Sequence, residues 1–457
     1  MPTFVPNNKQ TSNNIMKKAV LGFVALATIC LTQSCMKDVS NIEEPPVTND
    51  FKDLKVSPTF DWVTSKNITC TVNSDAPTKV EIYTDEACEE ELLATFITQE
   101  GSNKLAVSIA QATDKLYLKY TTTSDDTKIL TTTVSNGTAT FSVTGGAQAL
   151  KAESRNVMTR ADDVPIENHW GYISYPQGWG TVMFEDQFPV LGDYDFNDFV
   201  ASYQISVEFP WRWKDEEYKE GYYDTEYANL VRVHLRLKAI GGMLKFTPYV
   251  RIVGLDKSIV TMPELPYGPS DGRINPEIVN NTNDGVVASL IDTDDVIVEF
   301  KNLNASNPNA VAGSTYYNTT QGKTTKDSQL TQVNVYLKLS EEVKTEDLLD
   351  DKIDIFLASD DKTKEIHLRG FKPVFSDYDY SVKGVNTEIP YASDNNLVWG
   401  LKVAKIIPHA VERANFLDVY QDFKSWAESD GNSNPGWYKS NNIDKENLIK
   451  WAPENPK

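Results

Sequence analysis

Two stretches, "VRVHLRLK" (231–238) and "VNVYLKL" (333–339), alternate apolar and polar residues without a break. Val231, Val233, Leu235 and Leu237 fall on one side of the first. Val333, Val335, Leu337 and Leu339 fall on one side of the second. Successive side chains of an extended strand point to opposite faces, so each stretch needs a sheet with one dry face and one wet face. Wound as helices, the same residues would scatter around the surface and bury nothing. "DVIVEF" (295–300), "DIFLAS" (354–359) and "EIHLRG" (365–370) extend the pattern.

The same period runs earlier in the chain. "ITCTV" (68–72), "KVEIYT" (79–84), "LLATFIT" (92–98), "KLAVSIA" (104–110), "KLYLKYTT" (115–122) and "ATFSVTG" (139–145) are short strands bounded by turn residues. The expected fold is mainly β. A small Ig-like β-sandwich spans 51–145, a linker spans 146–164, and a larger antiparallel β-sandwich domain spans 165–457. A helix is expected over 411–428, where Phe416, Leu417, Tyr420, Phe423 and Trp426 recur at helical spacing before Gly431. A second short helix is expected over 443–450.

The start of the chain speaks to location. Met16, Lys17 and Lys18 precede the apolar run "AVLGFVALATICL" (19–31), which has signal-peptide length and is too short to span a bilayer. Met16 is therefore read as the true start. The following "TQSC" resembles the lipobox of bacterial lipoproteins, with Ser34 before Cys35 and Leu31 one place further upstream than usual, as in Bacteroidetes-like lipoproteins. The resemblance implies acylation of Cys35 and a lipid anchor in the outer membrane, on its periplasmic face or at the cell surface. Residues 1–35 are the signal segment on this reading, and 36–50, with their Pro-Pro pair, are a tether. The alternative is a plain secretory signal. Cys70 and Cys88 remain in an oxidising compartment, either as a disulfide or as two isolated buried thiols.

Charge excludes one class of partner. With 65 acidic against 44 basic residues the net charge is −21, and no basic patch interleaved with aromatics stands out. Nucleic-acid binding is not expected.

The acidity has a local focus in "FEDQFPVLGDYDFNDFV" (184–200). Asp193, Asp195 and Asn197 alternate, and Asp198, Glu185 and Asp186 lie close by. Calcium takes six to eight oxygen ligands and favours several carboxylates. No glycine stands at the sixth position of the run and no glutamate at the twelfth, so this is not an EF-hand. Five acids here would repel one another and raise their pKa values, and a divalent cation would remove that cost. Tyr194, Phe196 and Phe199 would anchor the loop to the core. The alternative is an acidic turn without metal, with Asp193 and Asp198 capping backbone amides. A second, weaker candidate is "SDYDYS" (376–381), with Asp377 and Asp379.

The stretch closely resembles the signature of the LruC-type domain of bacterial lipoproteins. "EIHLRGFKP" (365–373), "DNNLVWGLKV" (394–403), "VYQDFKSWAES" (419–429) and "GWYKS" (436–440) resemble the rest of that domain in order. The resemblance covers roughly 167–438. Phe188 stands where a tryptophan is common, and a valine precedes Trp399 where the family tends to have proline. The resemblance implies a lipoprotein with no known enzymatic activity and supports the calcium reading.

Nothing in the chain marks an enzyme. His169, His234, His367 and His409 are scattered, and no nucleophile elbow or phosphate-binding glycine loop is present. A carboxylate-dependent glycan hydrolase is the enzymatic alternative. The expected role is binding or adhesion, with a glycan or another surface protein as partner. Trp211, Trp213, Tyr222 and Tyr223 are candidates for stacking on sugars, unless they pack on their own hairpin. A fimbria-like structural subunit is the remaining alternative.

Overall fold

The computed structural model describes residues 50–147, 171–215, 220–261, 277–279, 287–303, 316–326, 329–379 and 381–450. The expected signal segment with Cys35, the tether up to residue 49 and the linker from residue 148 lie outside the described residues.

Strands dominate. The first seven are β1 (Ser65–Ser74), β2 (Lys79–Tyr83), β3 (Leu92–Ile97), β4 (Gly101–Ala110), β5 (Lys115–Thr121), β6 (Thr127–Thr133) and β7 (Thr138–Val143). Next come β8 (Tyr172–Phe184), β9 (Phe199–Glu208), β10 (Trp211–Asp215), β11 (Glu220–Tyr223), β12 (Tyr227–Ala239), β13 (Phe246–Asp256) and β14 (Val260–Thr261). The last are β15 (Glu277–Val279), β16 (Val287–Leu290), β17 (Asp295–Lys301), β18 (Gln332–Lys344), β19 (Ile353–Ser359), β20 (Glu365–Ile366) and β21 (Gly400–Val403).

The strands form one long sheet, β14-β18-β12-β9-β8-β3-β2-β5-β6, with β15 added on β18 and β21 on β8. A five-stranded sheet runs β16-β17-β13-β19-β20, a three-stranded sheet runs β4-β1-β7, and β10-β11 is a hairpin. Pairing is antiparallel except between β1 and β7. The period-two stretches sit in the middle of the long sheet. Val231, Val233 and Leu235 of β12 lie opposite Leu337, Val335 and Val333 of β18 and opposite Val207, Ile205 and Tyr203 of β9. All nine side chains are buried in one apolar cluster. Burying each such side chain contributes on the order of 1.5–3 kcal/mol, which holds the register against a one-residue slip.

The long sheet crosses the sequence boundary expected at 146–164. Ala94 and Thr95 of β3 pair with Ile173 and Tyr172 of β8, so strands from both sides share one ladder. A second link comes from the start of the described chain. Phe51, Leu54, Phe60 and Trp62 are buried in a cluster with residues 397–448 rather than with β1–β7. Trp62 donates its indole N–H to the Asn396 carbonyl at 2.8 Å.

The expected helix over 411–428 is two short pieces, α1 (Phe416–Val419) and α2 (Phe423–Glu428). Asn415 starts α1 by accepting the Leu417 N–H. Tyr420 leaves the helical region and bridges to Ile443, which ends α1. The apolar stripe keeps its role, because Phe416, Leu417, Tyr420, Phe423 and Trp426 are all buried. Residues 443–450 form no helix; they lie along the chain through the bridges Tyr420–Ile443 and Ala410–Leu448. Among the described residues no helix is long and apolar enough to cross a membrane.

Candidate metal centre in the acid loop

Glu185 follows β8 directly and its side chain is fully buried. One carboxylate oxygen accepts the Tyr194 N–H at 3.1 Å and the other accepts the Phe196 N–H at 2.8 Å. Tyr194 and Phe196 both adopt left-handed backbone, with φ of 56° and 52°. That conformation costs a side-chain-bearing residue on the order of 1–3 kcal/mol, so something must hold it. Glu185 holds it from one side and the rings hold it from the other. Tyr194 stacks on Phe51 at 4.2 Å, and Phe196 meets Phe416 edge-on at 5.2 Å. Phe199 is buried in the larger cluster between the sheets.

This backbone alters the alternation expected of an extended stretch. Asp193 and Asp195 both converge on Glu185, and one oxygen of each of the three lies within 4.8 Å of the others. Two oxygens bound to the same calcium at about 2.4 Å can be no further apart than about 4.8 Å, so the spacing fits a single ion. Asn197 turns aside. Its side-chain amide donates to Asp195 at 2.8 Å and to the Ala410 carbonyl at 3.4 Å. Asp186 and Asp198 form a second pair with a different task. Asp198 accepts the Asp186 N–H at 2.8 Å, and Asp186 accepts the Leu244 N–H at 3.0 Å. Asp198 therefore caps a backbone amide as expected. Asp195 also accepts backbone N–H groups, from Asn197 and Arg413, while Asp193 stays exposed.

The charges bear on one another. Burial, and then the Asp193 charge, push the Glu185 carboxyl up to about 7. Burial with Asp193 and Glu185 raises Asp195 well above the carboxylate range. Burial, then Glu185 and Asp186, push Asp198 up to about 8. Asp186 is also raised, chiefly by burial. A group of carboxylates this crowded is destabilised while ionised, and the available remedies are protons or a cation.

Four further residues shape the site, and of these only Gly192 belongs to the acid run. Glu412 brings a buried carboxylate oxygen that has no hydrogen-bond partner among the described residues, and both burial and the Asp193 charge raise its pKa. Arg413 supplies a backbone N–H to Asp195 at 2.6 Å. Gly192 and Gly242 leave room for the acids, since a Cβ at Gly192 would overlap the Glu185 carboxylate and one at Gly242 would overlap that of Asp186. The adjacent glycines 241 and 242 were the only visible signal.

The other candidates lie apart. Asp377 and Asp379 are exposed, and Asp379 accepts both the backbone N–H and the hydroxyl of Ser381. No metal-like cluster among the described residues includes them. Of the two alternatives expected for Cys70 and Cys88, the structure has the isolated thiols, both free and buried, and not the disulfide. Cys70 points into the core from β1, whereas Cys88 sits in the β2–β3 loop on a left-handed turn. Burial pushes the Cys70 thiol up to about 12. In the β10–β11 hairpin, Trp211 packs edge-on against Tyr223 at 4.9 Å and against Trp213 at 5.6 Å. Tyr222 and Tyr223 are half-buried, and Trp213 is 51% exposed. Two histidines are fully buried, and His367 lies between Asp354 at 2.7 Å and Glu365 at 3.0 Å.

Residues 228–438 match the model of a family described as a domain of unknown function, DUF4842. The match begins inside β12, so it takes in Glu412 but leaves out residues 185–198. A crystal structure of a protein from Bacteroides ovatus, described as a "putative lipoprotein", superposes with a TM-score of 0.57 and 20% identity. The alignment covers 82% of this chain and 100% of that one. At that identity the likeness is one of fold. No curated protein matches the chain.

Proposed function

We propose that the chain is a lipid-anchored protein of the bacterial cell envelope, of the LruC type. Cys35 carries the lipid, and the β-rich body is clamped by calcium at the acid loop and acts in binding or adhesion rather than catalysis. The convergence of Glu185, Asp193 and Asp195 carries the reading. The donor set is all oxygen, which suits a hard cation, and at least two of its members are buried. Glu185, Asp193 and Asp195 would hold the ion. Bound calcium would supply positive charge that relieves the carboxylate crowding. Asp186 and Asp198 serve the neighbouring backbone. The fold shared with the Bacteroides ovatus protein supports the envelope assignment, and the matched family carries no assigned activity. Trp213 is an exposed aromatic on which a glycan partner would stack.

Isothermal titration of the chelated full chain with calcium tests the ion. A single site that disappears in Asp195→Ala supports the reading. No heat and no shift in melting temperature at millimolar calcium would leave the loop as an acidic turn. Metabolic labelling with a fatty acid, lost in Cys35→Ala, tests the anchor.

A further inference from the structure

β6 ends the long sheet, and among the described residues no strand pairs with its outer edge. Its seven residues, "TKILTTT", pair with β5 through an unbroken register from Lys115–Thr133 to Thr121–Thr127. In an antiparallel ladder, hydrogen-bonded and non-bonded pairs alternate. The Val134 N–H donates to the Asp114 carbonyl and the Thr122 N–H to the Asp126 carbonyl, both at 2.8 Å. The even positions of β6 therefore bond inward. The N–H and C=O groups of Thr127, Ile129, Thr131 and Thr133 face outward.

The hairpin after β6 starts to cover that edge and then leaves it. Ser135 and Thr138 form one bridge across the Asn136–Gly137 turn, after which β7 pairs with β1 in the three-stranded sheet instead. Thr127, Lys128, Ile129, Thr131 and Thr133 remain exposed, Ile129 at 46%. Natural edge strands are usually blunted by lysine, proline, bulges or inward charges. Of these β6 carries a single lysine, Lys128, in a chain of net charge −21.

We propose that β6 is a strand-pairing surface for a second copy of this chain. The strand is complementary to itself. An antiparallel register centred on Leu130 sets Thr127 against Thr133 and Ile129 against Thr131, and keeps Lys128 opposite Thr132. That register places outward-facing residues opposite outward-facing residues, as a hydrogen-bonded pair requires, and brings no like charges together. Paired in this way, two long sheets continue into one across a two-fold axis, a symmetric interface that closes on itself.

Analytical ultracentrifugation of the purified full chain over a wide concentration range tests the proposal, with hydrogen exchange on the same samples. The expected result is a monomer–dimer equilibrium in which the amides of Ile129 and Thr131 gain protection as the dimer forms. Ile129→Pro removes one outward donor and leaves the β5 ladder intact, so it should abolish the dimer. A second variant, Ile129→Lys with Thr131→Lys, brings like charges together in the centred register and should do the same without any proline effect on folding. Melting temperatures matching the parent chain confirm that both variants are folded. A parent chain that stays monomeric throughout, or a dimer that survives both variants, overturns the proposal.

Discussion

Replacing Asp193 by asparagine should raise stability in EDTA and lower it in calcium. The two effects arise from one geometry. Asp193 has an oxygen within 4.8 Å of oxygens on both Glu185 and Asp195. At that distance two unit charges repel by about 1 kcal/mol in a water-like medium and by about 3.5 kcal/mol at an effective dielectric of about 20. Asp193 is exposed, so the lower figure applies to each of its two pairs. Removing its charge without calcium therefore relieves about 2 kcal/mol. For a folded chain of about 400 residues the unfolding entropy converts this to a rise in Tm of roughly 2 °C. With calcium present, the variant has lost a ligand. A tenfold to hundredfold weaker site lowers stability by about 1.4–2.7 kcal/mol at saturating ion, a similar shift of opposite sign. Melting curves of parent and variant, followed by circular dichroism in mildly alkaline buffer with EDTA and then with excess calcium, read both signs. A variant that shifts the same way in both media, or a parent indifferent to calcium, refutes the argument.

Four further outcomes are expected. Gly242→Ala forces a Cβ against the Asp186 carboxylate and should cost about 1–3 kcal/mol of stability in denaturant titrations, with or without calcium. His367 is buried between Asp354 and Glu365, and those partners raise its pKa against the opposing effect of burial. Its contribution is fully present below the ordinary histidine value near 6.5 and is lost as pH rises through the raised folded value. Urea midpoints should therefore fall on the alkaline side, and His367→Gln should flatten that limb. Cys70 and Cys88 should resist alkylation until the chain unfolds, as read by peptide mass spectrometry, and reductant should leave the melting curve unchanged. Phe51→Ala removes a ring that stacks on Tyr194 and packs near Phe423, and should cost about 3–5 kcal/mol, read from the denaturant midpoint.

Where periodicity is strict, the sequence announces the structure. "VRVHLRLK" and "VNVYLKL" lie side by side in the long sheet with the expected faces buried, because a period of two has no other way to bury four aliphatic side chains. The acid loop was legible as a cluster of like charges and aromatic anchors. Its form was not, since a left-handed Tyr194 and Phe196 depend on contacts made by Phe51 and Phe416 from remote parts of the chain. Glu412 escaped notice for the same reason: more than two hundred positions separate it from Asp193, and no local spacing relates them. The helical stripe over 416–426 predicted burial correctly but not continuity, because Tyr420 trades its helical place for a bridge to Ile443. β6 is illegible in the sequence because "TKILTTT" carries too few apolar residues to read as a strand when one edge and much of both faces are wet.

The docking of Phe51–Trp62 among residues 397–448 has a consequence for how the protein comes into being. The chain emerges from its N-terminal end, so these aromatic side chains appear first and their partners on α1 and α2 appear last. Phe51 can meet Tyr194 before mid-chain, but the Phe423 and Trp426 rings that pack on Phe51, Phe60 and Trp62 come only near the end. Contacts of such long sequence separation close slowly. The acid loop, whose strained turn leans on the same rings, is completed only when the final residues arrive. A stop between residues 404 and 415 would leave every strand encoded, yet Phe196 would lack Phe416 and Phe51 would lack Phe423.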